Sequence, residues 1–138
     1  MFINKFSGDV TPEEVIEICG RAMKAGEKDF GVKSRLILAC IVGLWDYAMP
    51  IAKMALKYKD IVCGIDVAGY ENGHIYKTLK EKQQVMAYEF AVKHDIKRTA
   101  HAGEAVGPTS VKNVRYIDAG GSLTKRCHTV LANLINII

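Results

Sequence analysis

The sequence predicts an α/β protein built on a parallel β-sheet, with helices between successive strands. A continuous apolar run at residues 36–42 and a second, mostly apolar segment at residues 61–67 have the length of strands that are buried on both faces. Segments with the apolar spacing of helices come before, between and after these runs. A chain of 138 residues is long enough for one domain of about 100–150 residues. In such a sheet, chemistry is expected at the carboxyl ends of the strands.

The first predicted helix begins at a Thr-Pro-Glu-Glu segment. Thr11 can cap the helix, Pro12 suits the first helical position, and Glu14 completes a capping box. Apolar side chains then follow at helical spacing, and Gly26 and Gly31 mark its expected end. This helix therefore precedes the first strand.

The later elements continue the same alternation. A helix is predicted over residues 50–58, between the two buried strands, and a long helix over about 75–93 follows the second strand. A third, short strand is predicted at 96–101. Another helix is expected to begin at Gly107-Pro108, and the tail at 131–138 is apolar. The order of elements predicts parallel strands joined by crossover helices.

Composition and charge exclude several classes of protein. Hydrophobic residues make up 49% of the chain and charged residues 25%, which excludes a disordered chain. The longest apolar run, residues 36–45, is well short of the roughly 20 residues that a membrane span needs. The net charge of +4 is scattered and forms no basic stripe with interleaved aromatic residues, so no nucleic-acid partner is expected.

The cysteines and the amino terminus predict a cytoplasmic location. The 4 cysteines include no pair at CxxC spacing, so a zinc knuckle or a thioredoxin-type site is not expected. Three of them lie in apolar stretches, where a free cysteine behaves as a small hydrophobic residue. The first five residues lack the apolar core of a secretory signal. A reducing compartment fits these features.

Polar residues lie at the carboxyl ends of the second and third predicted strands. His101 and Glu104 can serve as a metal ligand and a proton-transfer group, or as a turn histidine and a helix-capping glutamate. Gly69 can expose its backbone N–H to a substrate or simply form a turn, and Asp66 and Glu71 can be ligands or ordinary loop carboxylates. Spacing alone favours the turn interpretation for all of them.

Two motifs at these strand ends resemble the adenosine deaminase family. Residues 98–104, Arg-Thr-Ala-His-Ala-Gly-Glu, resemble its fifth strand, and residues 64–71 resemble its fourth-strand Asp-x-Ala-Gly-x-Glu pattern. Residues 11–15 and 31–38 resemble the helix and strand that precede them. The order and spacing of these segments also agree with the family.

The resemblance covers about residues 8–116, and residues 117–138 diverge. It implies one partial deaminase domain over residues 1–138, namely part of a TIM-type (β/α)8 barrel with about four parallel strands and crossover helices. At most four of the family's eight strands are present, so exposed strand edges are expected.

The resemblance also implies a reaction. Members of the family hydrolyse adenosine, a purine nucleoside, to inosine and ammonia with a zinc ion as cofactor. By position, His101 matches a zinc ligand, Glu104 matches the proton donor to purine N1, and Gly69 matches the residue whose backbone N–H meets purine N3. Protonating N1 makes C6 a better electrophile, and zinc makes a nucleophilic hydroxide available near neutral pH.

Several elements of the family's metal site are missing from this sequence. It has neither the His-x-His pair of the first strand nor the Asp-Asp pair of the last strand. His128 matches the second, non-catalytic histidine of the sixth-strand His-Gly-x-x-His motif. Of the remaining histidines, His94 is expected on a helix surface and His74 in a solvated loop. Zinc binding by this chain alone is therefore predicted to be weak, and enzymatic activity of the chain by itself stays an open question.

Two alternatives to an adenosine deaminase remain. The chain can be a truncated, non-catalytic member of the family that acts as an interaction module and self-associates through exposed strand edges. It can also belong to a deaminase of adenine or N6-substituted AMP, since such relatives have similar strand ends. Additional sequence on both sides that supplies the missing ligands would favour the enzyme.

Overall fold

A computed structural model describes residues 10–69, 81–105 and 127–130 of the chain. None of the helices in these ranges has the combination of length and apolar character that crossing a membrane requires.

Four parallel strands form a single sheet in the order β1-β2-β3-β4. They are β1 (Leu36–Ile41), β2 (Val62–Ala68), β3 (Lys97–His101) and β4 (Cys127–Val130). Helices lie between β1 and β2 and between β2 and β3. The arrangement confirms the predicted α/β class and corresponds to part of a TIM-type barrel.

The first helix, α1 (Pro12–Phe30), forms because both of its ends are capped by the local sequence. The Thr11 side chain accepts a hydrogen bond from the Glu14 backbone N–H, and the Glu14 carboxylate accepts one from the Thr11 backbone N–H at 2.7 Å. At the other end, Gly31 adopts a left-handed conformation with φ of 69° and donates its N–H to the Glu27 carbonyl. The predicted capping box is confirmed.

Two helices pack on the sheet between the strands. A short 3₁₀ turn, Trp45–Tyr47, leads directly into α2 (Ala48–Lys57), whose buried residues Ala48, Ala52 and Ala55 allow close approach to the strands. The third helix is α3 (Glu81–Lys93). Its Tyr88 hydroxyl donates a hydrogen bond to the Thr99 carbonyl on β3 at 2.6 Å.

The hydrophobic core lies where α1, α2 and α3 meet β1, β2 and β3. Strand register aligns Leu38 with Ile65 and Cys40 with Val67, and all four side chains are buried. Successive side chains of a strand point to opposite faces of the sheet. Ala39 and Asp66, which are register partners, therefore lie on the face opposite to these four residues. The buried cluster consists of Ile16, Leu38, Cys40, Ala48, Ala52, Ala55, Val62, Ile65, Val67, Ala87, Tyr88, Ala91, Ile96, Ala100 and Ala102.

The structure shifts some of the predicted element limits. Gly26 lies inside α1, and only Gly31 ends the helix. The second helix begins at Ala48, two residues before Pro50, because the preceding 3₁₀ turn continues into it. The predicted helix at 107–114 lies outside the described residues.

Candidate functional site

The site predicted from the sequence lies at the carboxyl ends of β2 and β3. These strands are parallel neighbours in the sheet, so their ends share one edge. Gly69 follows the last residue of β2, His101 is the last residue of β3, and Glu104 lies three residues further on. The topology thus brings the three predicted site residues to the same edge of the sheet.

Asp66 and His101 form the closest polar contact at this edge. The Asp66 Oδ2 atom lies 2.7 Å from His101 Nδ1, which is within ion-pair distance. Asp66 is buried, with 6% of its surface exposed, whereas the His101 side chain is 36% exposed. The imidazole therefore lies between a buried carboxylate and solvent.

Burial and charge act against each other at this pair. Burial raises the pKa of the Asp66 carboxyl above its ordinary value, because a buried carboxylate loses its hydration. The neighbouring His101 and the Val67 backbone N–H act in the opposite direction and favour the ionised form. The Asp66 Oδ1 atom is buried and has no hydrogen-bond partner among the described residues. The carboxylate therefore depends on His101 for the side-chain contact that offsets its burial.

A buried thiol lies on the face of the sheet opposite to Asp66. Cys40 is 2% exposed, and burial together with the charge of Asp66 raises the pKa of its thiol to about 12. Like Cys19 and the exposed Cys63, it is a free cysteine.

Gly69 turns the chain away from the end of β2. Its φ is 118°, a conformation that residues with a side chain rarely adopt. A Cβ atom added there would lie 3.4 Å from both Ile41 Cγ2 and the Val42 backbone nitrogen. Glycine thus keeps this exposed backbone close to the end of β1, and the position suits the approach of a ligand.

Glu104 lies in the bend that follows β3 and is exposed. Gly103, immediately before it, has a φ of 79° and allows the chain to turn there. The position leaves the Glu104 carboxylate accessible at the same edge as His101. A role for Glu104 in proton transfer stays a prediction.

The described residues do not by themselves form a zinc centre. Within them, no group of three or more His, Cys, Asp or Glu side chains is placed to hold a metal ion. A catalytic zinc site usually has three protein ligands, so His101 alone does not complete one.

The remaining histidines add no described ligand. His94 is exposed at the end of α3, where its ring lies 4.2 Å from that of Phe90, in agreement with its predicted surface position. His128 is the register partner of Thr99 on the neighbouring strand. His74 and Glu71 lie outside the described residues.

One interpretation from the sequence is wrong. Spacing alone favours an ordinary loop carboxylate for Asp66, although the strand predicted at 61–67 already contains this residue. In the structure, Asp66 lies within β2 and is buried against His101. The signal was available, because an aspartate within an otherwise apolar run has no water to solvate it and needs a polar partner. The sequence does not reveal which partner that is.

Comparison with known proteins identifies the family. The family model described as adenosine deaminase matches residues 2–119. Similar relatives are the adenosine deaminase of Xenopus tropicalis, 40% identical over 105 residues, and that of Bos taurus, 37% identical over 110 residues. These regions cover 75% and 79% of this chain, but only 28% and 30% of the relatives.

A relative from Mus musculus, also an adenosine deaminase, is 36% identical over 110 residues, or 79% of this chain and 31% of that protein. The chain thus spans less than a third of the length of these relatives. Because the family model matches most of the sequence, including both strand-end motifs, the chain belongs to the adenosine deaminase family.

Proposed function

We propose that the chain contributes part of the active site of a zinc-dependent adenosine deaminase, which hydrolyses adenosine to inosine and ammonia. The observation that carries this proposal is the pairing of His101 with buried Asp66 at the edge that also holds Gly69 and Glu104. Membership of the family supports the same reaction for the whole protein.

Each residue has a distinct part in the proposed reaction. The Glu104 carboxyl group donates a proton to purine N1, which withdraws electron density from C6 and makes that carbon more electrophilic. The Gly69 backbone N–H donates a hydrogen bond to purine N3 and orients the ring. His101 uses its free ring nitrogen as one zinc ligand. In a completed site, zinc would supply the acidity that makes a water molecule nucleophilic near neutral pH.

The proposed site is incomplete in this chain. The sequence contains neither His-x-His nor Asp-Asp, so further ligands must come from other segments or from another chain. We therefore expect the isolated chain to bind zinc weakly and to turn over adenosine poorly.

The test is a deamination assay on the purified chain with added zinc, in which inosine is separated from adenosine by chromatography. The control is Glu104→Gln, which keeps the shape of an exposed side chain but cannot donate the proton. Turnover that falls by about 10²–10⁴-fold in this variant would support the role of Glu104. Equal turnover in both proteins would contradict it.

The same assay identifies the substrate. We propose adenosine, and adenine and N6-methyl-AMP serve as competing substrates in parallel reactions. Preferred turnover of either one would assign the chain to a deaminase of that purine instead. No turnover of any of them by a folded chain would mean that the strand-end residues belong to a site completed elsewhere.

A second candidate function is that of a non-catalytic interaction module. The specific observation is the edge strand β1, which among the described residues pairs only with β2 and leaves Ile37 49% exposed. Such an edge can pair with another chain, so we propose self-association through it. Analytical ultracentrifugation tests this, and a monomer at all concentrations would contradict it.

We also propose that the protein works in the cytoplasm. The free cysteines at positions 19, 40 and 63 support a reducing compartment. Fractionation of cells that express a tagged chain would test the location.

A further inference from the structure

The contact between Asp66 and His101 carries an inference about how the histidine is held. Neutral imidazole carries its proton on one nitrogen and a lone pair on the other, so a metal can bind only the nitrogen without the proton. The hydrogen-bond partner of one ring nitrogen decides which of the two nitrogens carries the proton. For His101, that partner is a buried carboxylate oxygen at 2.7 Å.

We propose that Asp66 is the positioning residue of His101: its carboxylate accepts a hydrogen bond from Nδ1–H, fixes the ring orientation, and leaves the Nε2 lone pair free for a metal ion. The inference rests on the proposed function for the metal, but the tautomer itself can be measured without any metal. Asp66 acts through His101 and is not a ligand in this scheme.

The burial of the individual atoms supports this orientation. Nδ1 is buried and makes no hydrogen bond to any other described group, so its contact is the ion-pair distance of 2.7 Å to Asp66 Oδ2. The whole His101 side chain is 36% exposed, so the exposed part of the ring lies away from Asp66. Asp66 lies within β2, and its backbone is fixed by pairing with β1, where its register partner is Ala39. An anchored acceptor behind a partly exposed ring limits the rotation of that ring.

A carboxylate suits this role better than an amide or a hydroxyl group. An ionised carboxylate only accepts hydrogen bonds, so it selects the Nδ1–H form of a neutral imidazole. An amide or hydroxyl partner can donate as well as accept and selects less strictly. A carboxylate on the distal nitrogen also raises the basicity of a ligating histidine, and removing such a partner typically costs about 10–100-fold in metal affinity.

The first experiment measures the tautomer of each histidine by long-range ¹H–¹⁵N NMR of the full 138-residue chain without metal. A pH of about 8.5 keeps an ordinary imidazole, with a pKa of about 6.5, neutral. We expect Nδ1–H to be the main form of His101 in the wild type and the minor form in Asp66→Ala. His94, which is exposed and has its ring tilted by 40° against that of Phe90, serves as the internal control and should not change.

Two further variants separate positioning from a loss of structure. Asp66→Asn keeps the shape of the side chain and should give a mixture of the two tautomers in a folded protein. Thr99→Val removes another buried polar atom, the Thr99 Oγ1 on β3, and should leave the His101 tautomer unchanged. The inference is overturned if the wild type holds Nε2–H, or if Asp66→Asn and Asp66→Ala keep the wild-type tautomer.

The second experiment adds ZnCl₂ and follows the Nε2 signal of His101 in the wild type and Asp66→Asn. We expect the variant to need about 10–100-fold more zinc for the same perturbation. Equal zinc dependence would overturn the part of the inference that concerns the metal. If zinc does not perturb His101 even in the wild type, the proposed ligand role of His101 fails, while the tautomer result still decides whether Asp66 positions the ring.

Discussion

Replacing Gly64 with alanine tests how tightly the two strands of the site are joined. Gly64 pairs with Lys97, and a Cβ atom built on Gly64 would lie 2.8 Å from the Lys97 carbonyl oxygen. Ordinary contact begins at 3.4 Å, so β2 and β3 must separate locally by 3.4 − 2.8 = 0.6 Å. The obstacle is backbone, and no change of rotamer relieves it.

The expected effect on stability combines two opposing contributions. Overpacking of a closely packed region costs about 1–3 kcal/mol. Alanine also restricts the unfolded chain, which stabilises the folded state by about 0.4–1 kcal/mol. We therefore expect Gly64→Ala to lower the free energy of unfolding by about 1–2 kcal/mol.

Gly26→Ala provides a matched control with the opposite sign. Gly26 lies inside α1, and a Cβ atom added there meets nothing within 4 Å. Alanine is the better helix former, so this variant should be more stable than the wild type by about 0.5–1 kcal/mol.

Urea unfolding followed by far-ultraviolet circular dichroism measures both changes in the same assay. Comparable slopes in urea would show that the midpoints reflect stability and not a change in the unfolded state. The reasoning is refuted if Gly64→Ala is as stable as the wild type, or if the two alanine variants change stability in the same direction.

Four further variants test the packing and the helix cap. Thr11→Ala should lower the free energy of unfolding by about 1 kcal/mol in urea titrations, because it removes the cap of α1. Hydrogen bonds from Thr11 lower the pKa of the Glu14 carboxyl below its ordinary value of 4.5. The wild type should therefore be more stable than Glu14→Gln above pH 4.5, and this difference should vanish as the pH falls through the lower pKa of the folded state. Urea midpoints measured across this pH range test the sign of the effect. Ile65→Ala, in the fully buried centre of β2, should cost about 2–5 kcal/mol by the same measurement. Tyr88→Phe should cost about 0.5–1.5 kcal/mol and speed amide exchange in β3, because it removes the hydrogen bond to the Thr99 carbonyl.

Local sequence signals predicted most of the fold. The apolar run that begins at Leu36 became β1, and the capping residues Thr11 and Glu14 and the left-handed Gly31 delimit α1 as predicted. These signals are reliable because each depends on residues within a few positions of one another. The start of α2 was misjudged because Pro50 fits any position in the first turn, and the 3₁₀ turn before it has no distinct pattern.

The site could be predicted only in part. The family motifs indicated His101, Glu104 and Gly69, and the topology brings them to one edge of the sheet. The pairing of Asp66 with His101 could not be predicted, because it depends on the register between two parallel strands. Alternation tells which face a residue occupies, but the register is set by packing across the whole sheet.

The buried thiol of Cys40 can report when the helices separate from the sheet. A pKa raised from 9.0 to about 12 reduces the reactive thiolate about a thousandfold at a given pH. The exposed Cys63 on the neighbouring strand keeps its access to solvent. Alkylating reagents will therefore modify Cys63 in the folded state, whereas modification of Cys40 will record each transient separation of the helices from the sheet. The ratio of the two alkylation rates therefore measures, in a single reaction, the separation of the helices from the sheet.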